Sequence, residues 1–121
     1  MSSSADQSSK VLKPIELTDS NYFSTMRSEG FLFTDFWASW CGPCRMMSPV
    51  IEELAREYSG KIKFAKLNVD ENPVTPEQFA IMSIPTFIVS NHGKVVDVLV
   101  GAMPKQMIAM KLDAYLRGDN S

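Results

Sequence analysis

The sequence predicts an α/β domain: a central mixed β-sheet flanked by helices on both faces, with elements in the order βαβαβαββα. Three observations predict it. Residues 31–38 are a nearly unbroken apolar run and residues 62–69 a second, more interrupted one, and both read as buried strands. Apolar residues at helical spacing fill the intervals between strand candidates. Toward the C-terminal end, two strand candidates flank Asn91-His92-Gly93, which reads as a short glycine-containing hairpin turn. Helix-linked strands lie parallel and a hairpin is antiparallel, so the sheet is mixed and needs helices on both of its faces.

Taken in order, residues 15–17 make a short strand. Thr18, Asp19 and Ser20 offer caps for a first helix that carries Tyr22, Phe23 and Met26 and stops near Gly30. The strand at 31–38 is broken by one charge, Asp35. The second helix begins around Cys41 and Cys44 and runs to about Tyr58, with Met47, Val50, Ile51, Leu54 and Tyr58 as its buried stripe. Pro49 inside it removes one backbone hydrogen bond and predicts a kink, and Gly60 marks the stop. The strand at 62–69 is again broken in its middle by a charge, Lys66. Thr75-Pro76-Glu77-Gln78 has the form of a capping box with a threonine cap, and predicts a short third helix through Met82. Residues 86–90 and 94–100 form the hairpin, with His92 as an exposed turn residue. Met107, Ile108, Leu112, Tyr115 and Leu116 make the apolar stripe of the last helix, and core filling is the expected role of the methionines at 103–110.

The chain of 121 residues suits one domain, expected over residues 11–118 behind a disordered serine-rich tail at 1–10. A formal net charge of −2 leaves no basic excess to attract nucleic acid or an anionic membrane. No run approaches the ~18 apolar residues of a membrane span. The opening MSSSADQSSK lacks the apolar centre of a secretory signal, so the expected location is cytoplasmic.

The two cysteines lie three positions apart. A secreted domain stapled by disulfides carries more of them, spread along the chain. The loop this pair closes is tiny, and its effect on stability is small beside the ~3 kcal/mol of a fifteen-residue loop. The pair therefore points to chemistry. A strand ending at Trp40 and a helix opening at Cys41 to Pro43 put the first sulfur at a helix N-terminus, where free backbone N–H groups and the macrodipole favour a thiolate. Residues three apart on a helix share a face, so Cys44 can reach Cys41. Gly42 leaves the backbone uncrowded, and Pro43 fixes the first turn. This arrangement suits a two-step exchange in which Cys41 attacks a substrate disulfide and Cys44 resolves the mixed disulfide within the same molecule. A structural zinc site needs four ligands, and the sole histidine sits in the hairpin turn, so no metal is expected.

Asp35 and Lys66 interrupt neighbouring buried strands, and a buried carboxylate costs several kcal/mol unless paired or protonated. One reading makes them an internal ion pair, or Lys66 an edge-facing side chain. The other makes Asp35 a proton acceptor of raised pKa, tuned by Lys66, that serves Cys44 during resolution. Burial raises the Asp35 pKa and a nearby lysine lowers it, so the sequence leaves both readings open.

Phe36-Trp37-Ala38-Ser39-Trp40-Cys41-Gly42-Pro43-Cys44-Arg45-Met46 resembles the signature of the thioredoxin family. Asp35, Pro49, residues 64–70, Ile84-Pro85-Thr86, Gly93 and Val100-Gly101 extend the likeness over roughly residues 12–117. A lone Cys-x-x-Cys is weak, whereas this ordered set is highly specific. The resemblance implies the thioredoxin fold, with Cys41 as nucleophile, Cys44 as resolving thiol, and Asp35 with Lys66 handling the proton. It implies that Gly42 and Pro43 tune the redox poise toward reduction, that Pro85 is cis, and that Trp40, Ile84, Pro85 and Gly101 form an apolar groove for substrate backbone. It implies a general protein-disulfide reductase and electron carrier with a reversible Cys41–Cys44 disulfide and no cofactor. Its partners would be disulfide-containing target proteins and a thioredoxin reductase as electron donor, with the chain itself a monomer.

Among thioredoxins the nucleophile's pKa lies near 7, and the resemblance implies a similarly lowered thiol at Cys41. Lowering a thiol from ~8.5 to ~7 raises the thiolate fraction at pH 7 from roughly 3% to roughly 50%, about 16-fold. Nucleophilicity falls with pKa and returns about fivefold of this, so the net gain is only about threefold. The placement of the second thiol must matter more. A thioredoxin-fold binding subunit with incidental thiols would not need the pair, and an oxidase or isomerase fits poorly with Gly42-Pro43 and the missing signal. Thr34 departs from the family, which carries an aliphatic residue before the aspartate; it either hydrogen-bonds locally or packs.

Overall fold

The computed structural model describes residues 13–118. The tail expected at residues 1–10 lies outside them. Nine elements follow the predicted order: β1 (Ile15–Glu16), α1 (Tyr22–Ser28), β2 (Phe31–Trp37), α2 (Gly42–Glu57), β3 (Lys63–Asn68), α3 (Val74–Gln78), β4 (Thr86–Asn91), β5 (Lys94–Val100) and α4 (Lys105–Leu116). The strands form one sheet in the order β1-β3-β2-β4-β5. β3 runs parallel to both β1 and β2, while β4 is antiparallel to β2 and β5. The sheet is therefore mixed, as the helix-linked and hairpin-linked halves of the sequence require.

Side chains alternate across the pleat, so one strand feeds both cores. Phe33, Phe64, Phe87, Val89 and Leu99 pack beneath α2 and α4, against Met47, Ile51, Leu54, Ile108 and Leu112. Leu32, Phe36, Ala65, Leu67 and Ile88 pack on the other face, against Tyr22 and Met26 of α1. The Phe33 ring stacks on Phe64 at 4.7 Å and on Phe87 at 5.4 Å between ring centres. Thr34 points to the α1 side, where its hydroxyl lies 3.0 Å from the Tyr22 hydroxyl in a fully buried hydrogen bond. That settles the two readings of Thr34 in favour of the hydrogen bond.

Several local expectations are corrected. None of Thr18, Asp19 and Ser20 caps α1; Asn21 occupies that position. The Thr18 and Ser20 hydroxyls bond to each other instead, and Asp19 reaches across to another helix. Thr75 is not the cap of α3 but lies inside it, two residues after Pro73, which holds the cap position. α3 also ends at Gln78, short of Met82, because Ala80 adopts the left-handed conformation that closes a helix. Met107 and Met110 face outward rather than filling the core, and only Met103 packs against it. The hairpin turn uses His92 and Gly93 alone, both at positive φ, the geometry that matches the twist of paired strands. α2 passes through Pro49 without ending.

Candidate active site

β2 and α2 together position the cysteines. β2 ends at Trp37, and a turn through Ala38 leads to Cys41, which caps α2. The Cys41 sulfur accepts the backbone N–H of Cys44 at 3.1 Å. The helix thus directs one of its unsatisfied donors at the first sulfur, as expected for a site that stabilises a thiolate. Cys41 and Cys44 form a disulfide across a Cα separation of 5.2 Å. Both are buried, 4% and 3% exposed, against Ala38 with Trp37, Val69 and Ile84 alongside. A Cβ on Gly42 would meet nothing closer than Arg45 Nη2 at 4.0 Å, so packing within the chain does not demand glycine there.

The loop before β4 faces this pair from the other side. The Ile84–Pro85 peptide is cis, and the Ile84 carbonyl oxygen lies 3.8 Å from the Cys41 sulfur. The Thr86 hydroxyl donates to the Ser83 carbonyl at 2.6 Å, closing the loop. The Gly101 N–H donates to the Pro85 carbonyl at 2.8 Å, with Gly101 at φ +91°, where a side chain would be strained.

Trp40 is 66% exposed beside the disulfide, and its Nε1 donates to Asp70 at 2.8 Å. A groove of about 340 Å³ runs along it, lined by Trp40, Val69, Pro76, Ile81, Met82, Ser83 and Ile84. Of the four groove residues expected from the resemblance, Trp40 and Ile84 line this groove. Pro85 and Gly101 do not; they make the hydrogen-bonded corner next to it. Sequence reasoning missed Met82, which at 93% exposed is the most prominent apolar side chain on the rim. The apolar loop Ile81-Met82 ahead of Ile84-Pro85 was the signal available.

Behind the disulfide, Asp35 projects from β2 toward α2. It shares a small cavity of about 60 Å³ with Trp37, Cys44, Arg45, Ser48 and Lys66, roomy enough for a water, which needs ~10–15 Å³. Asp35 is 6% exposed, and its Oδ1 has no hydrogen-bond partner within the protein. Burial pushes its carboxyl up to about 7, and the positive charge of Lys66 pulls against that rise without cancelling it. The internal ion pair between the two is not formed. Lys66 lies 3.8 Å from Glu16 and sits over the Trp37 ring at 4.3 Å.

Among the described residues, no group of three or more His, Cys, Asp or Glu side chains is placed to hold a metal ion. Nor is any helix among them long and apolar enough to cross a membrane.

Comparison with known proteins agrees with this geometry. The family model described as Thioredoxin matches residues 13–114. Thioredoxin 2 of Chlorobaculum tepidum is 55% identical over 105 residues, which is 86% of this chain and 96% of that protein. The thioredoxin of Chlorobaculum thiosulfatiphilum is 53% identical over the same length, covering 86% and 97%. The thioredoxin of Staphylococcus haemolyticus is 51% identical over 102 residues, covering 84% and 97%. A cysteine pair at a helix N-terminus, a cis-proline loop against it and this extent of likeness lead to one assignment: the chain belongs to the thioredoxin family of thiol–disulfide oxidoreductases.

Proposed function

We propose that the chain acts as a general protein-disulfide reductase through an exchange divided between Cys41 and Cys44. The observation that carries this is the Cys41 sulfur at the mouth of α2, within reach of both Cys44 and the cis-Pro85 loop. In the reduced protein, the Cys41 thiolate attacks one sulfur of a target disulfide. A mixed disulfide forms, and the other target sulfur leaves as a thiolate and takes up a proton. The Cys44 thiol then gives its proton to the Asp35 carboxylate and attacks the Cys41 sulfur, expelling the second target sulfur as a thiolate that takes up a proton from solvent and regenerating the Cys41–Cys44 disulfide.

Asp35 suits that step because a base works best with a pKa near the working pH, and burial has moved this one to about 7. A water in the shared cavity would carry the proton between Cys44 and Asp35. Lys66 moderates the rise through its charge. Trp40 and Ile84 in the groove, with Pro85 and Gly101 in the corner next to it, receive the target's backbone around its disulfide, and Gly42 with Pro43 sets the poise toward reduction.

The exchange needs no bound cofactor or metal, since the electrons reside in the two thiols. A thioredoxin reductase returns the pair to the dithiol form, making the chain an electron carrier to target proteins. We place it in the cytoplasm as a monomer. Turnover of insulin disulfides with dithiothreitol tests the reading: Cys41→Ser should abolish catalysis, and an undiminished rate would overturn the mechanism.

A further inference from the structure

The groove beside the disulfide has one wall built from the segment between β3 and the cis-proline loop. Val69, Pro76 and Ile81 come from it, and so does Asp70, which holds the Trp40 indole. A wall made of a loop and a five-residue helix has little regular structure of its own to fix it. It is held from outside, by Asp19.

Asp19 lies in the loop between β1 and α1, far from the cysteines in sequence. Its Oδ1 accepts both the backbone N–H of Thr75 at 2.8 Å and the Thr75 hydroxyl at 2.7 Å, and its Oδ2 accepts the Val74 N–H at 3.1 Å. Its own N–H donates to Asn72 Oδ1 at 3.0 Å. Asn72 in turn donates its side-chain amide to the Asn68 carbonyl at 3.2 Å, and Asn68 Oδ1 accepts the N–H groups of Asp70 and Glu71. Thr75 and Asn72 are buried. Asp19 thus fastens the far end of the turn that presents Asp70, with Asn72 carrying the link back to Asn68, and fixes α3 directly before Pro76.

We propose that Asp19 is a positioning residue for the groove wall and sets affinity for protein disulfides without taking part in thiol chemistry. This rests on the reading of the groove as the seat of the target backbone. The carboxylate uses three acceptor contacts on two consecutive residues, which no neutral side chain reproduces in full. Without them Val74 and Thr75 lose their tether, and Asp70 and Pro76 move with more freedom against Trp40.

The test compares protein and small-molecule substrates. In insulin reduction, Asp19→Ala should raise KM about three- to tenfold while kcat changes less than twofold. Its rate with a small aromatic disulfide, and the ultraviolet titration of the Cys41 thiolate, should match the parent. Asp19→Asn keeps the oxygen facing Thr75 and should recover most of the lost affinity. Thr75→Val removes one of the three contacts at nearly constant shape, and guards against the chance that Asp19→Ala folds poorly; it should give an intermediate KM. Trp40→Ala serves as the reference for the groove itself. If Trp40→Ala raises KM and neither Asp19→Ala nor Thr75→Val does, the role of Asp19 is refuted and the groove stands. If Trp40→Ala leaves KM unchanged, the groove reading fails and the proposal with it. Equal losses with insulin and with the small disulfide would also overturn it, because they would mark a general structural defect.

Discussion

Asp35 and Lys66 stand opposite each other in register across β2 and β3, yet their charges do not pair. Lys66 turns toward Glu16 and the Trp37 ring, which leaves the Asp35 carboxyl buried beside Cys44 with its pKa raised to about 7. A formed ion pair would have held that carboxyl ionised and low. The separation keeps Asp35 able to gain and lose a proton near neutral pH.

This has a consequence for stability. The unfolded chain releases the Asp35 proton near pH 4, whereas the folded protein keeps it up to about pH 7. Between those values the native state binds more protons, so raising the pH destabilises it, with the full cost reached above pH 7. A rise from about 4 to about 7 corresponds to about 4 kcal/mol. Asp35→Asn carries no charge at any pH. It should therefore be more stable than the parent by a few kcal/mol at pH 8 and nearly equal at pH 4, as read from denaturant unfolding at both. An equal difference at the two pH values would contradict the raised pKa.

The same variant should lose activity. Well-placed general bases contribute roughly 10²–10⁴-fold where proton transfer limits the rate, and solvent base recovers part of this, so a drop of about tenfold at pH 7 is expected for Asp35→Asn. The pH–rate profiles of parent and variant should differ in shape near pH 7, the variant keeping only the bend set by the Cys41 thiol. Coinciding profiles would remove Asp35 from the proton path.

Cys44→Ser should form the mixed disulfide through Cys41 and fail to release it. Mass spectrometry of the variant incubated with oxidised targets would detect the covalent adduct, which a reducing agent should dissolve. The absence of any adduct would deny Cys44 its resolving role. Identifying the captured proteins would also define the target set.

Thr34→Val keeps the shape of the side chain and removes its hydroxyl, leaving the buried Tyr22 hydroxyl without this partner. Leaving a buried polar group unsatisfied costs about 1–3 kcal/mol, so a lowered melting temperature is expected with unchanged exchange kinetics. Thr34 meets Tyr22 of α1 on the face of the sheet opposite the one that packs under α2. A change in reductase activity beyond the loss of folded protein would show that the two faces are coupled.

Much of the molecule was legible in the chain. The two apolar runs specified β2 and β3, since a strand covered on both faces has no polar side to alternate. The stripe of Met47, Ile51, Leu54 and Tyr58 specified the buried face of α2. The charges at Asp35 and Lys66 stood out because such runs rarely admit them. Helix caps were less legible, because a capping side chain need not be local. Asp19 resembles a cap for α1, but it bonds the start of α3, more than fifty residues further along the chain. The outward turn of Met107 was hidden for a related reason: a methionine at helical spacing reads as core until the neighbouring helix shows which face it covers.

By itself the sequence determined the order of elements, the mixed sheet and a reactive cysteine pair at a helix start. These follow from local chemistry: periodicity, turn residues and the donors at a helix N-terminus. Only the tertiary structure decided what surrounds the pair. It brought the cis-proline loop to the Cys41 sulfur, held Lys66 over Trp37 and out of ion-pair contact with Asp35, and clamped the groove wall with Asp19. Those relationships depend on distances between segments remote in the chain, and such distances are set when the two cores pack on opposite faces of one sheet.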